Sequence, residues 1–312
     1  KDEHIDDLAI QKYVLTGNNI NISETKLMLI NTKNCYYPNL ENLFIIEDLT
    51  SQVNQKIGEV SNNITYLKNI AKLANEPNLF SDKNCGNPDK CPLKDFCWQG
   101  VPEISIFTIP RLHKSKAAKL IEDGIFALDD LPNYLQNKPN KFLTDNQKKY
   151  VNSILNNQLF LDENGIKNKL DELEYPLHFF DIETHNPAIP RFEGLKPYEQ
   201  FIFQYSCHIL SENGQLEHFE YLHTENTDPR LPLIKSLIKH IKKTGSIIVY
   251  HLSFEASKLK KLAKDFPQYA EQLNSIVERL WDLEIIFKNF YKHPQFLGKT
   301  SIKKVLPVLV PT

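Results

Sequence analysis

The stretch that decides the reading is Leu177-His178-Phe179-Phe180-Asp181-Ile182-Glu183-Thr184. It is short, apolar and aromatic, and reads as a buried strand. Side chains alternate along a strand, so Asp181 and Glu183 fall on one face. Two carboxylates side by side repel, and burying them unpaired is costly. A divalent cation removes that cost. Mg²⁺ or Mn²⁺ takes such oxygen ligands and keeps water positions open for a phosphate.

A second piece is Ile247-Ile248-Val249-Tyr250-His251-Leu252-Ser253-Phe254-Glu255. An apolar strand over 246–251 ends and a helix over 255–264 begins, with Glu255 at the helix N-terminus. The helix dipole favours a carboxylate there, so capping is one role for Glu255. The same position also aims a third carboxylate at the pair. Strand ends and a helix start meeting on one edge is where open α/β sheets place their sites.

Working outward, strands are expected over 177–183, 201–210 and 217–223, with the hairpin signal Glu212-Asn213-Gly214 between the last two. An amphipathic helix follows over 233–242. The order β-β-β-α-β-α predicts an α/β fold with a mixed sheet flanked by helices. Upstream, a helix is expected over 6–15, a buried strand over 26–31, a short strand over 43–46 and an amphipathic helix over 51–73 broken near Asn62. Residues 75–102 form a Pro/Gly/Cys-rich stretch without periodicity, 111–156 are helical around the turn GIFALDDLP, and 162–174 make one more short helix. Three parts follow: 1–100, 101–174 and 175–312.

Composition narrows the function. The 312 residues carry 37 Lys and Arg against 39 Asp and Glu, a formal charge of −2. That excludes a strongly basic coat, so any nucleic-acid binding must come from local patches. Lysines cluster at 114–119, 235–243, 258–264 and 299–304. Lys258 and Lys303 lie close in sequence to the motif segments, and Arg191 follows the first strand. Those three and His251 are the candidate nucleic-acid-binding residues. Tyr198, Phe201 and Phe254 either stack on bases or belong to the core. No apolar run is long enough to span a membrane. The charged start KDEHIDD is not a signal peptide, which points to the cytoplasm. The absence of an initiator Met and the abrupt end VLPVLVPT fit a piece of a longer chain.

The segments HFFDIETHNPAIPRFEG, PYEQFIFQYSCHIL, SIIVYHLSFEASKLKKLA and SIKKVLP resemble the bacterial domain-of-unknown-function family 2779, itself similar to the DnaQ-like (DEDD) 3′–5′ exonucleases of the ribonuclease H-like fold. The resemblance covers about 175 to the end. It implies two-metal hydrolysis of phosphodiester bonds, with Asp181 and Glu183 matching the first exonuclease motif and Glu255 the second. Glu255 stands where most such enzymes carry Asp, and His251 where many relatives carry Asn. The third motif is absent, so it is expected downstream of Thr312 and the fragment is expected to be inactive by itself. Asp282, in LWDLEIIF, reads as a helix N-cap rather than a metal ligand. His178, His208, His218 and His223 lie on strands and read as core or surface residues.

Three of the five cysteines, Cys85, Cys91 and Cys97, crowd into the Pro/Gly-rich stretch. Thiolates at such spacing hold an iron–sulfur cluster or zinc. The segment resembles the C-terminal cysteine trio of RecB-like nucleases of the CRISPR-associated Cas-four and AddB type, which implies a [4Fe–4S] cluster. HIDDLAIQKYVLTGNN and KLMLIN resemble the helix and strand after the catalytic Glu-x-Lys of PD-(D/E)xK nucleases. LHKSKAAKLIEDGIFALDDLP resembles a helix-hairpin-helix element, whose backbone amides bind phosphates. The expected protein is a cytoplasmic, metal-dependent nuclease acting on DNA or RNA from an end. Two other readings stay open: a nucleic-acid-binding module without catalysis, and a clamp for a PD-(D/E)xK endonuclease whose active site lies upstream.

Overall fold

A computed structural model describes residues 2–74, 92–136, 138–139 and 141–311. In chain order the elements are α1 (Asp2–Gly17), β1 (Lys26–Ile30), β2 (Phe44–Asp48), α2 (Thr50–Ile70), α3 (Lys94–Cys97), α4 (Lys114–Glu122), α5 (Leu131–Leu135), α6 (Asp145–Leu155), β3 (Phe160–Leu161) and α7 (Glu163–Leu170). They continue with β4 (Leu177–His185), β5 (Phe201–Leu210), β6 (Leu216–Leu222), α8 (Arg230–His240), β7 (Ile247–Val249), α9 (Leu252–Asp265), α10 (Ala270–Glu278), β8 (Leu280–Asp282), α11 (Glu284–Asn289), β9 (Tyr291–Lys292) and α12 (Ile302–Leu309).

The chain divides into two compact units. The first comprises Lys1–Pro77, Thr184–Phe201 and Asn226–Asp228; the second comprises Asn78–Glu183, Ile202–Glu225 and Pro229–Thr312. In the first unit, Ala9 of α1 packs with Leu49, Val53 and Val60 around Leu27 of β1. Its sheet is a single antiparallel pair with Met28 opposite Ile46. Strand β1 is therefore not the buried strand expected for 26–31: Met28 is 61% exposed, as is Ile46. Only the Leu27 face has something to pack against. Helix α2 runs unbroken through Asn62, because an exposed Asn costs little in propensity while the Val53–Val60–Ile64 side stays anchored.

The second unit is built on a five-stranded mixed sheet with order β6-β5-β4-β7-β8. Strands β5 and β6 pair antiparallel, as the Asn-Gly turn requires. Strands β4, β7 and β8 run parallel, joined through α8 and through α9–α10. Along β4, His178, Phe180 and Ile182 are buried while Phe179, Asp181 and Glu183 are exposed. Phe180 and Ile182 join Leu233, Ile234 and Leu237 of α8, Leu259 and Leu262 of α9 and Leu273 of α10 in the main core. The other sheet face is left to Phe179 and the two carboxylates.

Entry into β7 depends on Gly245. It sits at φ +86°, and a Cβ there would lie 2.0 Å from the Pro176 carbonyl oxygen. Only glycine permits that approach. It lets Ser246 donate its amide to Glu174 O at 2.8 Å, and β7 then runs beside β4.

The middle of the chain has its own core, with Ile106, Leu120, Leu131 and Tyr150 buried together. Helix α6 opens with a capping box in which the Thr144 hydroxyl accepts from the Gln147 amide and the Gln147 side chain accepts from the Thr144 amide.

Candidate active site

The site forms at the carboxyl ends of the three parallel strands. The register sets Phe179 level with Ile248 and Val249 level with Asp282. Asp181 and Glu183 therefore extend past the last residue of β7, while Asp282 closes β8. All three residues of β7 are buried, so the chain leaves it abruptly. His251 takes the turn in the left-handed region, at φ 78° and ψ 64°. That conformation is uncommon for a residue with a Cβ and marks a backbone held by its surroundings. What holds it is Asp282: its Oδ1 accepts the His251 amide and the Glu284 amide, each at 3.0 Å.

Helix α9 starts at Leu252, three residues earlier than the pattern predicts, so Glu255 sits inside the first turn. Its side chain turns inward. Glu255 is 3% exposed, and its Oε2 has no hydrogen-bond partner among the described residues. Burial pushes this carboxyl up to about 7. Its own backbone amide and His251 pull it down, while the negative charges of Asp181 and Asp282 add to the rise. A desolvated carboxylate with an orphan oxygen, facing two other carboxylates, is a position that a cation would stabilise.

A second layer backs it. Glu284 is 8% exposed at the start of α11. Its Oε2 pairs with Lys288 Nζ at 2.6 Å and with His251 Nδ1 at 3.0 Å, and its Oε1 accepts from the Thr300 hydroxyl at 2.7 Å. Burial alone would raise the Glu284 carboxyl, but Lys288, Thr300 and His251 outweigh it and hold it below the usual range. The other ring nitrogen of His251 meets Ser253 Oγ at 3.1 Å. The Tyr250 hydroxyl donates to the Thr300 carbonyl. The rim is thus a connected hydrogen-bonded frame from β7 through β8 to residue 300.

The negative charges of Asp181 and Asp282 both act on the Glu255 carboxyl and raise it. Glu183 shares the face of Asp181 and is exposed. Among the described residues, no three His, Cys, Asp or Glu side chains converge closely enough to hold a metal ion. Asp282 ends β8 rather than capping α11, whose N-cap is Leu283, although its Oδ1 accepts the Glu284 amide. Glu284 was not anticipated. Its one sequence signal is its place two residues after Asp282 in LWDLEIIF.

Lys258 lies on α9 with its ammonium 5.2 Å from the centre of the Phe254 ring. Lys303 is exposed on α12 and Arg191 is exposed in the first compact unit. Phe201 is buried and packs edge-on against Phe192 and His185, so it is a core residue. Phe254 packs on the main core, and Tyr198 is 51% exposed. His178 is fully buried, between Ser246 O and the Lys242 amide. Cys85 and Cys91 lie outside the described residues, as does the side chain of Cys97. Cys35 is buried, with its thiol 3.8 Å from Asn39 O. No helix among the described residues is long and apolar enough to cross a membrane.

Comparison with known proteins places this region. "Uncharacterized protein MG366" of Mycoplasma genitalium is 29% identical over 160 residues, covering 47% of this chain and 24% of that protein. "Uncharacterized protein UU173" of Ureaplasma parvum is 30% identical over 174 residues, covering 51% of this chain and 25% of that protein. The chain thus spans about a quarter of the length of these curated relatives. No solved structure matches. The family described as "Domain of unknown function (DUF2779)" matches residues 178–301. The stretch that carries Asp181, Glu183, Glu255, Asp282 and Glu284 lies within that match.

Proposed function

We propose that this domain is a metal-dependent nuclease of the DnaQ-like, ribonuclease H-like kind, hydrolysing nucleic-acid phosphodiester bonds from an end in the 3′–5′ sense. The observation that carries the reading is Glu255. A carboxyl 3% exposed, with an orphan oxygen, raised to about 7 and acted on by Asp181 and Asp282, is unfavourable unless a cation visits it. The sheet supports the same fold, since its order is third, second, first, fourth, fifth strand, with the first, fourth and fifth parallel.

Asp181, Glu183 and Glu255 are the residues that would hold Mg²⁺ or Mn²⁺, with Asp282 beside them. The ion, when bound, supplies charge to polarise the phosphate and to acidify a water. The protein's own part is positioning. The Asp282 carboxylate fixes the turn at His251, and the Glu284–Lys288–Thr300 frame fixes the His251 ring. Held in this way, His251 keeps its imidazole at the rim, 61% exposed in its side chain, where Nε2 would meet a phosphate or a water by exchanging its Ser253 contact.

The absence of a closed ligand trio among the described residues favours a second reading, a nucleic-acid-binding module without catalysis. One experiment separates the two. End-labelled linear single strands and a circular single strand are incubated with the full-length protein that carries this domain and Mn²⁺, beside its Asp181→Asn variant. The expected result is progressive shortening of the linear strand only, reduced by more than about a hundredfold in the variant. Binding without shortening, or shortening unchanged by the substitution, rejects the proposal.

A further inference from the structure

Behind the Glu284 frame lies a cavity of about 630 Å³, within the range that holds a small ligand. Its charged lining holds Arg111, Lys292 and Lys299 against the single carboxylate of Asp145, with Lys288 already paired to Glu284. We propose that this cavity is a nucleotide site that holds the phosphate, and that it belongs either to a free nucleotide or to one residue of a bound strand. The proposal deepens the nuclease reading and rests on it for the choice of nucleotide among phosphate-bearing ligands.

Four features support it. First, Thr144, Asp145, Asn146 and Gln147 line the cavity and form the N-terminus of α6, an eleven-residue helix. The capping box takes the Thr144 and Gln147 amides, so the dipole and the amides of Asp145 and Asn146 are what this end offers an anion. Second, Arg111 is held at φ 52°, a conformation that costs a non-glycine residue energy. Its loop is clamped from two sides. Gln147 Nε2 donates to Pro110 O at 2.9 Å, and Gly298, at φ +74°, approaches so closely that a Cβ would lie 2.4 Å from Thr108 O. The fold thus spends strain to put a guanidinium at the cavity wall, and a guanidinium matches phosphate geometry.

Third, Lys292 is half-buried with its ammonium on the Phe287 and Lys288 carbonyls. Burial, with Lys149 adding, holds that amine down at about 8. A phosphate in the cavity would supply the missing counter-charge. Fourth, the remaining wall suits a base. Phe287 and Phe296 meet edge-to-face with ring centres 6.2 Å apart and both line the cavity; Phe296 is buried, so the half-buried Phe287 is the ring a base would meet. Tyr150 also lines it, 2% exposed, and its hydroxyl makes no hydrogen bond of ordinary geometry although the Thr108 side chain lies nearby. Aromatic faces with a polar handle are what base recognition uses. The cavity shares Thr300 and Lys288 with the Glu284 frame, so the two adjoin.

The test is a binding measurement in metal-free buffer, where cleavage does not intervene. Adenosine 5′-monophosphate is titrated by calorimetry, and fluorescent oligo(dA) and oligo(rA) by anisotropy, with inorganic phosphate as competitor. Arg111→Glu and Lys299→Glu are compared with Lys235→Glu, an exposed lysine of α8 outside the cavity. Each cavity variant should weaken binding at least about tenfold, and Lys235→Glu less than about twofold. Loss of mononucleotide binding assigns a free nucleotide; loss confined to the strands assigns a strand residue. If charge reversal unfolds the protein, Lys299→Gln is read in its place. No binding by any probe, or equal weakening in all three variants, overturns the cavity assignment. Binding that passes this test while the linear strand stays intact with Mn²⁺ overturns the nuclease reading and leaves the cavity standing.

Discussion

The two compact units contain the same kinds of residue and use them differently. In the first, four residues, Ala9, Leu49, Val53 and Val60, are buried together under a two-stranded sheet whose far face exposes Met28, Phe44 and Ile46. In the second, seventeen buried residues among those described pack between a five-stranded sheet and α8–α10. The first unit's apolar strands are half wet because one pair of strands cannot close a core. The second unit closes its core so well that a carboxylate on α9 is trapped in it. What separates a solvated strand from a site-bearing one is the number of elements packed against it, since β1 and β4 are both strongly apolar.

The comparison can be broken or sharpened by substitution, starting with the largest effect. Ile234 is fully buried in the main core, so Ile234→Ala should cost about 4 kcal/mol. Both tryptophans, Trp98 and Trp281, lie in the second unit. Their fluorescence during urea unfolding reads that loss directly. A change below about 1 kcal/mol would mean that the core relaxes as the smaller one does.

Next comes the trapped carboxylate. Glu255 is raised to about 7 from 4.5 by burial first, with Asp181 and Asp282 adding. The folded state therefore keeps a proton that the unfolded chain releases. The stabilisation this gives is full at pH below the unfolded value and disappears as pH rises through about 7. Glu255→Gln removes the penalty of ionising the group. The variant should be more stable than the parent at about pH 8, by on the order of 3 kcal/mol, and the gap should close towards about pH 4. Parallel stability–pH curves for the two proteins would show that Glu255 is not the desolvated group.

The smallest effect belongs to the open face. Met28 is already 61% exposed, so Met28→Ser should change stability by no more than about 0.5 kcal/mol. A thermal shift larger than a few degrees would mean that this face is covered in solution and that the contrast between the units is one of partners, not of core size.

Much of the second unit is legible in local pattern. Strand β5 runs over Phe201–Leu210 as expected, and β6 follows its Asn-Gly turn within one residue. The placement of Asp181 and Glu183 on one exposed face follows from alternation alone. Strand β8 was not legible: three half-buried residues carry no periodicity, and Leu280–Asp282 is a strand only because β7 lies beside it. The same non-local pairing brings Asp282 to the site and sets Glu284 behind His251. Strand β1 failed in the other direction, since KLMLI carries a burial signal that the small first unit leaves half unused.

By itself the sequence determined which residue types are available and how neighbours alternate: two carboxylates on one strand face, a third beyond an apolar strand, and cations scattered with no net excess. Those are properties of a few consecutive residues, governed by backbone geometry. Tertiary structure alone decided that Glu255 turns inward and loses its water, that Asp282 ties two strand ends together, and that Arg111 and Lys299, far apart along the chain, line one cavity. Each depends on desolvation and charge proximity, which arise only when distant segments pack and displace solvent.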